Sequence, residues 1–170
     1  MSFRMRHWVK RMRHSRGVAG RRTWSLETSA GSEARLVHRG GVVTPAVMHV
    51  DIAKLGEGAK EWHVKLLQHS YEIVAGTRYS VSFRARAAEP RPVGCAVGNN
   101  HDPWMALGEY HEHVVTREWT PFWGAFTGLA DDPDARLFFD LARSEAWVEI
   151  SDVVLRNETN ERDLSTFRRR

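Results

Sequence analysis

At 170 residues the chain has room for one domain with a substantial core and little else, which argues against a two-domain reading. Its net charge of +4 would suit nucleic acid, but residues 1–22 hold eight Lys or Arg and no acid, leaving 17 basic against 21 acidic residues elsewhere. A mildly acidic body argues against a nucleic-acid partner, a single cysteine excludes an intramolecular disulfide framework, and no run approaches the ~18 consecutive apolar residues of a membrane helix.

Residues 1–22 carry no caps and no hydrophobic period, so they read as a basic, disordered leader. From residue 23 to 157 the sequence predicts short strands separated by turn residues, with few helix signals. Trp24 opens the first, and the next fall near residues 34–38, 46–52, 61–68 and 71–74. The clearest strand spans 78–87, where Tyr79, Val81, Phe83, Ala85 and Ala87 alternate with Arg78, Ser80, Ser82, Arg84 and Arg86. In the strand before it, Trp62, Val64 and Leu66 are expected to share a face, and Gly76 suits the intervening turn. Further strands are expected near 92–97, 109–115, 119–126, 136–142 and 147–155, with loops at 89–92, 99–103 and 131–134. Residues 158–170 form a polar, basic tail. The pattern is all-β, an antiparallel β-sandwich.

Trp62, Gln68, Gly76, Tyr79, Ser82, Phe83, Ala85 and Ala87 follow in one order and spacing. Pro103-Trp104, Gly108, Thr116-x-x-Trp119, Phe126, Arg136-Leu137-x-Phe139 and Ile150-x-Asp152-Val153-x-Leu155 continue it. Over residues 24–156 this resembles the carbohydrate-binding modules of the cellulase and xylanase type, families four and nine, whose fold is a galactose-binding-like jelly roll. The Asn-x-x-Phe-Glu-x-Gly element with which such modules begin has no match here. The resemblance implies a non-catalytic binder of β-linked polysaccharide or oligosaccharide, associated with a catalytic domain or a protein encoded nearby and without a membrane contact. Such modules work outside the cell; the chain itself shows no export signal, and its compartment stays open.

Pyranose rings have apolar C–H faces that stack on aromatic planes and a hydroxyl rim that takes polar side chains. Of the seven tryptophans, Trp24, Trp119 and Trp147 read as core and Trp123 is undecided. Trp104 lies in a polar loop among Asn, His, Asp and Pro, where a large aromatic has few apolar neighbours, so it is a platform candidate. By the resemblance Trp62 lines the cleft; the residues alone leave it between platform and core. Arg84 and Arg86 project from the polar face of their strand, and Gln68 and Phe138, the latter facing away from Leu137 and Phe139, are further candidates for the binding surface. No cofactor is required. A structural calcium, which the resemblance places at Asp152, lacks its usual second aspartate, since Ser151 stands there.

Two alternatives remain. A non-sugar interaction domain on the same scaffold predicts a buried Trp62. A cupin-like metal enzyme requires His111 and His113 to converge with Glu118 or another acid. Cys95, in an apolar strand between Gly94 and Ala96, is expected to be buried and inert.

Overall fold

A computed structural model describes residues 23–40, 46–160 and 162–164; the expected leader, residues 1–22, and the last residues of the tail lie outside them. Eleven strands are present among the described residues: β1 (Ser25–Thr28), β2 (Glu33–Arg39), β3 (Val47–Lys54), β4 (Val64–Ile73), β5 (Arg78–Ala87), β6 (Arg91–Asn99), β7 (His111–Val115), β8 (Thr120–Thr127), β9 (Asp132–Asp140), β10 (Val148–Asn157) and β11 (Arg162–Asp163). They pair antiparallel in two sheets, β1-β4-β9-β6-β7 and β2-β3-β10-β5-β8, with β11 added on β10. This is the expected all-β sandwich of jelly-roll type. No helix of the described residues is long and apolar enough to cross a membrane.

The core is the sum of the inward faces. Tyr79, Val81, Phe83, Ala85 and Ala87 of β5 are all buried, as their alternation predicts, and meet Leu137 and Phe139 of β9 from the other sheet. Phe83 sits edge-on to Phe139 at 4.9 Å and stacked on Phe122 at 5.3 Å, so one ring ties the two sheets together. Each such ring contributes roughly 1.5–3 kcal/mol by burial and about 1 kcal/mol more by geometry. Trp24 lies over the rim of this core, 5.7 Å from Phe139.

Several elements differ from their expected form. Residues 61–68 and 71–74 are not two strands: β4 runs unbroken to Ile73, and its register shifts between Gln68 and Tyr71, where Ser70 takes φ 70°. This bulge absorbs the residues that read as a turn. Glu61–His63 form a 3-10 turn ahead of β4, so Trp62 does not share the inward face of Val64 and Leu66. Strand β9 begins at Asp132, inside the expected loop 131–134. The chain also stays packed past Asn157, because β11 pairs with β10 and the Leu164 amide donates to the Leu155 carbonyl at 2.7 Å.

Candidate functional site

The same alternation that fills the core builds a cleft on the outer face of the first sheet. In β9, Leu137 and Phe139 point inward, so Arg136, Phe138 and Asp140 point outward. In β6, Val93, Cys95 and Val97 point inward, leaving Gly94, Ala96 and Gly98 outside. A strip of small residues thus lies beside a strip of long ones, and the sheet surface dips between them. The glycines are required by contact. A Cβ at Gly98 would come within 2.8 Å of the Met105 carbonyl oxygen, and one at Gly94 within 1.7 Å of the Tyr110 hydroxyl.

The walls of this cleft of about 440 Å³ are aromatic. Trp62 rises from the 3-10 turn at one side, and Trp104 and Met105 stand in the loop after β6, with Tyr110 further along. Trp62 is 50% and Trp104 55% exposed. Of the eight large hydrophobic side chains exposed among the described residues, these four share one cleft.

The loop is held from beneath. Buried Asn99 donates through Nδ2 to the Asp132 carboxylate and accepts the Met105 amide on Oδ1 at 3.0 Å. Asp132 also accepts the Asp134 amide at 2.8 Å and faces His101 Nε2 at 3.2 Å, while the His101 Nδ1 lies 2.7 Å from the Asp102 carbonyl oxygen. Burial pushes the Asp132 carboxyl up, but these donors outweigh it and hold it below its usual range. His101 is raised, first by the Asp102 carbonyl and then by Asp132. On this footing Trp104 keeps φ 58°, a left-handed conformation that costs a non-glycine residue about 1 kcal/mol or more.

The floor is polar and close to charge-balanced. Lys65 Nζ lies 3.1 Å from Asp140 Oδ1 and 3.7 Å above the Phe138 ring. That Asp140 oxygen makes the ion pair without a well-directed hydrogen bond. Burial lowers the Lys65 pKa and raises that of Asp140, and their mutual attraction opposes both shifts. The Arg136 guanidinium lies 4.8 Å from the Trp104 ring and 5.4 Å from Phe138, with Glu27 of β1 at 3.6 Å. Its Nε is buried with no hydrogen-bond partner, and burial lowers its pKa.

Of the residues expected at the binding surface, the structure brings Trp62, Trp104 and Phe138 to this cleft and leaves Gln68, Arg84 and Arg86 elsewhere. Gln68 has the inward parity of Val64 and Leu66 and is buried, accepting a hydrogen bond from the Tyr71 hydroxyl. Arg84 and Arg86 lie on β5, in the opposite sheet. Trp119 is not core: it shares the parity of Pro121 and Trp123, whereas Phe122 and Phe126 take the inward positions, and it lies half-buried under Arg84 and Arg86. Trp147 is likewise half-buried, its ring 5.5 Å from His49. Lys65, Arg136, Asp140, Asn99, Met105 and Tyr110 were not among the expected site residues. The outward parity opposite Leu137 and Phe139, and the Gly94-x-Ala96-x-Gly98 spacing, are the signals that identify the floor.

His111 Nε2 is 3.1 Å from the Ala125 carbonyl oxygen, and His113 packs against Phe83 and Phe122. Asp152 is exposed on a bulge of β10 at φ 53°, and the hydroxyl of Ser151 donates to it at 3.1 Å. Among the described residues no three His, Cys, Asp or Glu side chains stand where they could hold one metal ion.

No protein-family model and no curated protein sequence matches the chain. Among solved structures it is similar to a CBM4 module, at TM-score 0.66 and 24% identity over 79% of this chain and 86% of that one. It is also similar to the N-terminal cellulose-binding domain of Cellulomonas fimi β-1,4-glucanase C, at TM-score 0.58 and 22% identity over 79% and 88% of the chains. The second N-terminal cellulose-binding domain of that enzyme aligns at TM-score 0.57 and 24% identity over 79% and 84%. At these identities the likeness is one of fold: the chain has the antiparallel jelly-roll fold of carbohydrate-binding modules.

Proposed function

We propose that the cleft binds carbohydrate, a β-linked polysaccharide or an oligosaccharide from it, without catalysis. The observation that carries this reading is the gathering of exposed Trp62 and Trp104 around one polar-floored groove. The indoles take the C–H faces of successive pyranoses, while Lys65, Asp140 and Arg136 face the hydroxyl rim. Lys65 and Arg136 each already have a carboxylate, so the floor offers hydrogen bonds without a net charge, which suits a neutral sugar. An open groove with two platforms contributes only ~1 kcal/mol per stacked ring, so binding is weak and the protein works beside an enzyme that attacks the same polymer. The exposure of Trp62 runs against the interaction-domain alternative, which requires that side chain buried.

The test is tryptophan fluorescence during titration with soluble xylan, β-glucan and cello-oligosaccharides, for the wild type, Trp62→Ala and Trp104→Ala. A saturable shift that either substitution weakens about fivefold, with the circular dichroism unchanged, is expected. No shift with any of these glycans overturns the reading.

A further inference from the structure

The outer face of the second sheet carries a second built cluster. Glu149 of β10 is buried, yet its carboxylate meets three cationic or titratable groups: Arg86 Nε at 2.7 Å, Arg39 Nη1 at 2.8 Å and His49 Nδ1 at 3.0 Å. Burial alone would raise its pKa, but the hydrogen bonds from Arg86 and His49 bring it below the usual value, so the carboxylate stays ionised. Arg86 meets Glu149 through Nε and rests over Trp119 at 5.1 Å and Trp147 at 6.0 Å, and its two terminal nitrogens make no hydrogen bond or ion pair among the described residues. Arg84, two residues along the same strand face, lies over Trp119 at 5.7 Å and has no ion pair among the described residues. The nearby Asp152 is satisfied by the Ser151 hydroxyl.

Three arginines against Glu149 and the neighbouring Asp152 leave this patch positive, unlike the balanced cleft on the other sheet. A guanidinium fork held rigid by a carboxylate and an indole is preorganised for a planar oxyanion. Beside it stands Trp123, 63% exposed; it pairs with Ser82 while Arg84 pairs with Pro121, so Trp123 and Arg84 are diagonal neighbours across the β5–β8 ladder. A free aromatic plane next to free guanidinium forks matches a ligand with an apolar ring face and a carboxylate on its edge.

We propose that this face is a second binding site, for a uronic-acid unit of an acidic glycan, its carboxylate taken by Arg84 and Arg86 and its ring laid on Trp123. The site is independent of the cleft, so the two readings fail separately.

The test follows the indole N–H resonances of the full chain by NMR during titration with a galacturonate trimer and, separately, a neutral glucan trimer. The uronate is expected to shift Trp123 and Trp119 saturably, equally well in Trp104→Ala, and to bind about tenfold more weakly in Arg84→Gln and in Trp123→Ala. Neither residue is in the core, and Arg84 leaves no carboxylate orphaned, so both variants should fold; matched amide spectra check this. Raising salt to about 0.5 M should weaken the shifts. Shifts confined to Trp62 and Trp104, unchanged affinity in Arg84→Gln, or equal shifts with the neutral trimer would overturn the proposal. Tighter binding of a sulfated trimer or of an oligoglutamate peptide would overturn the uronate assignment.

Discussion

Asp132 does not line the cleft, yet the geometry makes it the support on which the Trp104 loop rests. In Asp132→Ala the Asn99 amide and the Asp134 N–H lose their acceptor, both in buried or half-buried surroundings. Hydrogen bonds to a charged group are worth about 1.5–3 kcal/mol each, and relief of the carboxylate's own burial offsets part of the loss, so the fold should lose about 2–4 kcal/mol. For a domain of this size that is a fall in Tm of roughly 5–15 °C. Freeing Trp104 should add about 1 kcal/mol to the cost of binding, or about fivefold in affinity for a cello-oligosaccharide. The pH dependence has a definite sign. His101 is raised in the folded state, so its contribution is full below its ordinary 6.5 and is lost as pH rises through the folded value. With Nδ1–H donated to the Asp102 carbonyl, a neutral His101 turns a bare Nε2 toward Asp132. Asp132 is depressed, so its contribution is present above its ordinary 3.8 and is lost as pH falls through the lower folded value. The wild type should therefore melt highest between these limits, and the variant should lose the part of the acid slope that Asp132 supplies and the smaller, Asp132-dependent part of the alkaline one. Thermal melts across pH, paired with oligosaccharide titrations, measure both. An affinity equal to wild type in a variant that has lost stability would refute the claim that Asp132 positions the loop.

Asp140→Ala should cost about 3–5 kcal/mol by leaving the Lys65 ammonium without its counter-ion, whereas Lys65→Met with Asp140→Leu should recover most of the loss; chemical denaturation compares the two. Gly94→Ala drives a methyl into the Tyr110 hydroxyl, so the ring must swing out; a loss of about 1–2 kcal/mol and weaker glycan binding are expected, measured by melts and titration. Cys95 is fully buried and burial pushes its thiol well up, so a thiol reagent at mild alkaline pH should leave the native protein unlabelled and label it completely once unfolded.

Strand β5 could be read from sequence because its two faces meet environments of opposite polarity, and a period of two records that directly. Where both faces are enclosed or walled, the record blurs. In β9 the outward Arg136, Phe138 and Asp140 look like an ordinary polar edge until Gly94, Ala96 and Gly98 of the neighbouring strand show that the surface beside them is hollow, a relation between residues about forty positions apart. Gln68 misled because it is polar, which suggests the surface, although it shares the parity of Val64 and Leu66, and inside the sheet the Tyr71 hydroxyl satisfies it. Trp104 was legible because an indole in a polar loop has no local apolar partner; its support by Asn99 and Asp132 was not, since that pairing joins the ends of two strands 33 residues apart.

Trp119 carries the argument one step further. Composition says that the chain has more tryptophan than a small core needs, and size says that a large ring before a strand should be buried. The sandwich already has Phe83, Phe122, Phe126 and Phe139 at its centre, so another ring at the Trp119 position goes outside and is covered by arginine instead of by core. The same surplus of aromatic residues therefore produces two different surfaces. On the first sheet exposed indoles wall a cleft in which every floor cation is matched by a carboxylate; on the second, Trp119 and Trp147 back the arginines and the cations outnumber the acids. A ligand that distinguishes these faces must do so by charge, since both offer an aromatic plane.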